Sequence, residues 1–147
     1  MKEKLTVALI AHDGKKDEMV KLAREHKKKL AELSLVATRS TGQLVREGTG
    51  LDIKLVNSGP LGGDQQIGGM VAGGIVKAVI FLRDPLMAQP HEPDIAALLR
   101  VCDVHNVPLA TNMATAEAVM HLLFEHPEVL EKVEMEAAPY AADHHLK

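Results

Sequence analysis

Five times along this chain an apolar run of strand length gives way to a longer, more polar stretch, and no other feature constrains the fold as much. Residues 5–11 (LTVALIA) are almost continuously apolar, as in a strand covered on both faces. Residues 16–30 then place Met19, Leu22, Ala23, His26 and Leu30 on one helical face, with lysines elsewhere. Further strands are predicted at 33–38, 53–56, 78–82 and 107–110. Helices are predicted from a capping box at Ser40-Thr-Gly-Gln43 to about Gly48 or Gly50, over 64–71, from Pro93 to about His105, and over 115–124. This alternation argues for an α/β fold: a single-domain, three-layer α/β/α arrangement around a five-stranded, mainly parallel sheet with right-handed crossovers. The 147 residues suit one domain spanning 1–147, in which 126–147 are expected to form a peripheral tail because the periodicity weakens there.

Composition narrows the partners. Hydrophobic residues make up 46% and charged residues 25%, so a packed core is expected and intrinsic disorder is not. Aromatic residues make up only 2% (Phe81, Phe124 and Tyr140), too few to build a base-stacking surface. A formal net charge of -3 provides no basic field for nucleic acid or an anionic membrane. The run at 5–11 is far shorter than the ~20 residues of a membrane span, and no small-residue cleavage site follows it. Cys102, the sole cysteine, excludes an internal disulfide and suits a reducing, cytoplasmic compartment.

In open parallel sheets, ligands bind beyond the carboxyl ends of the strands. The segments that follow the predicted strands are His12-Asp-Gly-Lys-Lys16, Thr38-Arg-Ser-Thr-Gly42, Asn57 to Asp64, Arg83-Asp84 with His91-Glu-Pro-Asp94, and Thr111 to Thr115. The polar, reactive side chains therefore gather at one sheet edge. Thr38, Ser40 and Thr41 offer hydroxyls at a helix N-terminus, where free N–H groups favour an anion. Ser58-Gly59 and Gly62-Gly63 allow close backbone approach, and Lys16 adds a point charge. These groups suit a phosphate, although taken singly Ser40 also reads as an N-cap and Lys16 as a solvated lysine. Seven of the eleven glycines lie between Gly59 and Gly74, but neither a P-loop nor a dinucleotide fingerprint is present.

Other groups suit proton transfer. Asp64 follows two glycines, His91 and Asp94 share a loop, and His12 ends the first strand. A carboxylate base with an imidazole electrophile is the arrangement that enolisation beside a carbonyl requires. The plain alternatives are an N-cap for Asp64 and a first-turn acid for Asp94. His12-Asp13 and His91-x-x-Asp94 lack the helical His pair or Cys set of a metal centre, so no metal is assigned. His26, His105 and His121 read as partly buried helix histidines, and Cys102 as core.

Four segments taken together carry a resemblance: AHDGKK, SGPLGGDQQIG, FLRDPLMAQPHEPD and LATNMATAE. In order and in spacing they resemble the methylglyoxal synthase family over about residues 5–124. The resemblance implies a cofactor-free carbon–oxygen lyase that converts dihydroxyacetone phosphate to methylglyoxal and inorganic phosphate, assembled as a homohexamer in the cytoplasm. It implies Asp64 as the catalytic base and His91 as the group that polarises the carbonyl, with Asp94 and His12 completing the catalytic set. It also implies phosphate contacts from Lys16, Thr38, Ser40, Thr41, Ser58 and Gly59. Two departures stand out. The family's threonine loop reads close to TGTTG, whereas here Arg39 and Ser40 interrupt it. No arginine lies beyond Arg100, so the sequence does not support phosphate inhibition through a neighbour's C-terminal arginine; His144 or His145 is the alternative, and a solvated tail is the favoured reading. Two competing readings are a non-catalytic phosphate- or nucleotide-binding regulatory module of the same fold and a sugar-phosphate isomerase that shares the enediolate.

Overall fold

The computed structural model describes residues 4–133. Five parallel strands form one sheet: β1 (Thr6–Ala11), β2 (Ser34–Thr38), β3 (Lys54–Val56), β4 (Val76–Leu82) and β5 (Leu109–Ala110), in the order β3-β2-β1-β4-β5. The connections run through α1 (Lys16–Glu25), α2 (Lys27–Leu30), α3 (Arg39–Thr49), α4 (Gly63–Ala72) and α5 (Glu92–Val104), and α6 (Met113–Glu125) follows β5. Every strand pair is parallel, as the alternation of strand and helix leads one to expect.

Strand side chains alternate between the two faces, and each face is covered. Val7, Leu9 and Ala11 of β1 join Met19, Leu22, Val45, Met120 and Leu123 from α1, α3 and α6. Ala8 and Ile10 join Ile67, Val71, Ile95, Leu98 and Cys102 from α4 and α5. That places the sheet between two helical layers. Leu130, in a helical turn over 127–133, is buried in the first cluster, so the segment after α6 begins on the core. Residues 134–147 of the expected tail, including His144 and His145, lie outside the described residues. No helix among the described residues is long and apolar enough to cross a membrane.

Three local expectations need correction. The capping box at Ser40 does not form: Thr38 is the N-cap, and α3 begins at Arg39. Pairing of Thr38 with Val56 holds Thr38 extended, so the helix starts at the next residue and Ser40 lies within the first turn. The helix expected over 16–30 breaks at His26, whose Nε2 lies 2.9 Å from Glu117 Oε2 on α6. His105 and His121 are exposed. The end of α3 agrees with expectation: Gly50, at φ 77°, closes it in the left-handed region that favours glycine.

Candidate active site

The strand order fixes where a site can form. The chain runs outward from β1 to β2 and β3, then crosses back to add β4 and β5 on the other side. Strand order therefore reverses between β1 and β4, and the crevice beyond their carboxyl ends is the expected ligand position. A cavity of about 580 Å³ lies there. His12, Asp13, Gly14 and Lys16 line it from the end of β1, and Thr38 and Ser40 from the start of α3. Ser58, Gly59, Pro60 and Asp64 line it from the β3–α4 turn, and Asp84 and residues 87–91 from the loop after β4.

Asp64 is the most unusual group in this cavity. It lies in the first turn of α4 and is fully buried, yet neither carboxylate oxygen has a hydrogen-bond partner among the described residues. Burial holds its carboxyl above the ordinary 3.8; the nearby His91 opposes that shift and Asp94 adds to it. The turn that delivers Asp64 depends on glycine. A Cβ on Gly63 would lie 2.0 Å from the carbonyl oxygen of Asn57. The Gly63 N–H donates to Ser58 O at 2.9 Å, and Gln66 Oε1 accepts from the Asn57 N–H at 2.8 Å. The helix can therefore start only where the backbone carries no side chain.

His91 is the N-cap of α5 and is buried. Its Nε2 lies 3.4 Å from Asp64 Oδ2, and its Nδ1 has no partner among the described residues. His12 stands edge-on to it, with ring centroids 5.9 Å apart. The Asp84 N–H donates to His12 Nδ1 at 2.9 Å, so Nδ1 is unprotonated and the neutral ring carries its proton on Nε2. That Nε2 is buried and has no partner among the described residues. Burial, followed by the proximity of His91 and Arg83, holds the His12 imidazole below 6.5, which favours the neutral form.

The remaining residues singled out in the sequence divide. Lys16, Thr38, Ser40, Ser58 and Gly59 line the cavity together with His12, Asp64 and His91. Lys16 Nζ is paired with Asp13, whose carboxyl is held below 3.8 by that hydrogen bond. Thr41 and Asp94 do not line the cavity. The buried Thr41 hydroxyl accepts from the Ala11 N–H at 3.1 Å and donates to Ala11 O at 3.3 Å, and it receives Thr38 Oγ1 at 3.2 Å. Asp94 accepts from Gln65 Nε2 at 2.6 Å. Sequence reasoning gave no role to Asp84, Gln65 or Gln66. The signal for Asp84 is its place just after β4; the two glutamines carry no chemistry that their type alone reveals. The only group with metal-ligand spacing among the described residues, Glu25, His26 and Glu117, does not line the cavity.

Comparison with known proteins gives a consistent result. Residues 18–111 match the family model of the MGS-like domain. The chain is 59% identical over 119 residues to a methylglyoxal synthase of Carboxydothermus hydrogenoformans, covering 81% of this chain and 98% of that protein. It is 60% identical over 116 residues to one from Clostridium perfringens, covering 79% and 98%. A crystal structure of methylglyoxal synthase from Elizabethkingia anophelis superposes with a TM-score of 0.75 at 47% identity, covering 79% of this chain and 76% of that one.

Proposed function

The chain belongs to the methylglyoxal synthase family, and from that premise we propose how its site performs the family's reaction. The protein is a carbon–oxygen lyase that converts dihydroxyacetone phosphate to methylglyoxal and inorganic phosphate. The observation that supports the assignment of roles is the buried, unpartnered Asp64 carboxylate standing 3.4 Å from His91 at one wall of the cavity.

The phosphate lies against Ser40, Ser58, the Gly59 backbone and Lys16, at the positive end of α3. Asp64 removes a proton from the carbon bearing the free hydroxyl, and the electron pair moves to the carbonyl oxygen to give an enediolate. The Nε2–H groups of His91 and His12 donate to its oxygens. Donors of this kind typically contribute ~10²–10³ in rate. His91 carries the proton of the terminal hydroxyl to the former carbonyl oxygen. The pair left on the terminal oxygen then forms the aldehyde carbonyl, the carbon–carbon double bond shifts by one carbon, and the bond from that side to the phosphate oxygen breaks with its pair leaving on phosphate. Inorganic phosphate leaves with the enol of methylglyoxal, which tautomerises to the product. An isomerase would instead return the proton to carbon. Asp94 acts from behind, sustaining the basicity of Asp64, and Thr41 acts by fixing the phosphate-binding helix to β1. A regulatory module would gain nothing from an unpartnered buried carboxylate, which is expensive to retain.

We place the reaction in the cytoplasm and the chain in a homohexamer. Leu61 and Leu86, 75% and 92% exposed, are apolar surface that contacts between copies would cover. The test is to supply dihydroxyacetone phosphate and measure methylglyoxal, phosphate and glyceraldehyde phosphate. Equal methylglyoxal and phosphate are expected, and Asp64→Asn abolishes both while phosphate still binds. Glyceraldehyde phosphate without phosphate release, or near-normal turnover by Asp64→Asn, would sink the reading.

A further inference from the structure

The charges lining the cavity are poorly suited to a phosphate dianion. Asp13, Asp64 and Asp84 stand against one ammonium, Lys16, which Asp13 already holds. The neighbouring cations are engaged as well: Arg83 Nη2 meets Glu92 Oε1 at 3.2 Å, and Lys15 Nζ lies 3.7 Å from Glu18 Oε1. Arg39 is different. It is exposed, it opens α3, and it sits between Thr38 and Ser40, both of which line the cavity. No hydrogen bond or ion pair holds its guanidinium among the described residues.

A cation in that position runs against the local electrostatics. The first turn of a helix carries partial positive charge, so a cation there is disfavoured where an anion would be favoured. A side chain on the first helical residue leans back toward the helix N-terminus, the end at which the cavity donors lie. A dianion seated there would reverse the sign of the interaction and turn a local liability into an attraction.

We infer that Arg39 is a binding determinant of this site: an exposed guanidinium, flanked in sequence by two cavity-lining residues, that draws the phosphate of the substrate by electrostatic attraction. The inference rests on the lyase reading for the identity of the substrate, but not for the binding of a phosphate dianion. Arg39 does not line the cavity, so its attraction acts alike on bound substrate and transition state. It therefore lowers KM more than it raises kcat. Because the contact is solvent-exposed, salt screens it.

The test compares the full chain with Arg39→Ala and Arg39→Lys. It measures kcat and KM for dihydroxyacetone phosphate, and calorimetric binding of inorganic phosphate, at low and high salt. Arg39→Ala is expected to raise KM roughly 3- to 10-fold and to weaken phosphate binding by a similar factor. The salt dependence of both should flatten, and Arg39→Lys should restore most of the loss. If KM, phosphate affinity and salt dependence are all unchanged in Arg39→Ala, the inference is overturned. If the native chain fails to turn over substrate yet loses phosphate affinity in Arg39→Ala, the lyase reading fails and the role of Arg39 stands.

Discussion

His91 Nε2 and Asp64 Oδ2 stand 3.4 Å apart, and both carboxylate oxygens of the buried Asp64 remain without a hydrogen-bond partner among the described residues. Burial alone would leave Asp64 a weak acid, and Asp94 pushes its carboxyl in the same direction. A base must be ionised to act, so kcat/KM falls as pH drops through this raised value, and the acidic limb lies above the ordinary 3.8. Replacing Asp94 by Asn removes the like charge while keeping an acceptor for Gln65, so the limb moves to lower pH. Profiles of kcat/KM for the two proteins check this; superimposable acidic limbs would show that Asp94 does not tune the base.

Gly59 controls the distance between those two groups and the turn above them. A Cβ placed there would meet His91 Nε2 at 2.8 Å and Asp64 Oδ1 at 3.3 Å. Gly59→Ala must therefore displace the imidazole, and a misplacement of about 1 Å costs ~10²-fold in rate. Among the described residues the nearest atoms to that Cβ belong to these two side chains, and Gly59 has no left-handed φ, so Tm should change little while kcat/KM falls by about that factor. Retention of full activity would mean that His91 does not need its observed position.

The His12 tautomer is set by the Asp84 N–H on Nδ1, which leaves the proton on Nε2, buried and without a partner among the described residues. Nitrogen NMR should report a neutral ring protonated on Nε2, titrating below 6.5. Stability has a matching signature. Between the lowered folded value and 6.5 the unfolded chain binds more proton than the folded one, so stability falls as pH drops through that window. Denaturation of His12→Gln should show a shallower loss over the same window. An unchanged slope would mean that His12 is not held neutral by the fold.

Much of this architecture is written in periodicity. The five apolar runs became five parallel strands, and the one-edge clustering of His12, Thr38, Ser58 and Asp84 follows directly from that. What periodicity could not carry is three-dimensional satisfaction of polar groups. The Ser40 motif reads as a capping box, but pairing of β2 with β3 moved the helix start to Arg39. Thr41 reads as a phosphate contact and Asp94 as a member of the catalytic set, and periodicity could not show that the Thr41 hydroxyl bonds Ala11 and the Asp94 carboxylate accepts from Gln65. Asp84 acts on His12 through a backbone N–H, which no side-chain pattern announces.

Thr41 and Ser40, adjacent in the same helical turn, should separate stability from binding. The ladder of β1 with β2 ends at Leu9 and Ala37, and beyond it the Thr41 hydroxyl serves both the N–H and the carbonyl of Ala11. Thr41→Val fills the same space but leaves those buried groups without partners, at a cost of roughly 1–3 kcal/mol for such a group. Denaturant unfolding should show that loss, and Thr41→Ser should recover most of it. Ser40 is exposed and lines the cavity, so Ser40→Ala should leave unfolding unchanged and weaken phosphate binding measured by calorimetry. If the effects are exchanged, with Thr41→Val stable but unable to bind phosphate, then the threonine hydroxyl turns toward the ligand and the link between α3 and β1 is dispensable.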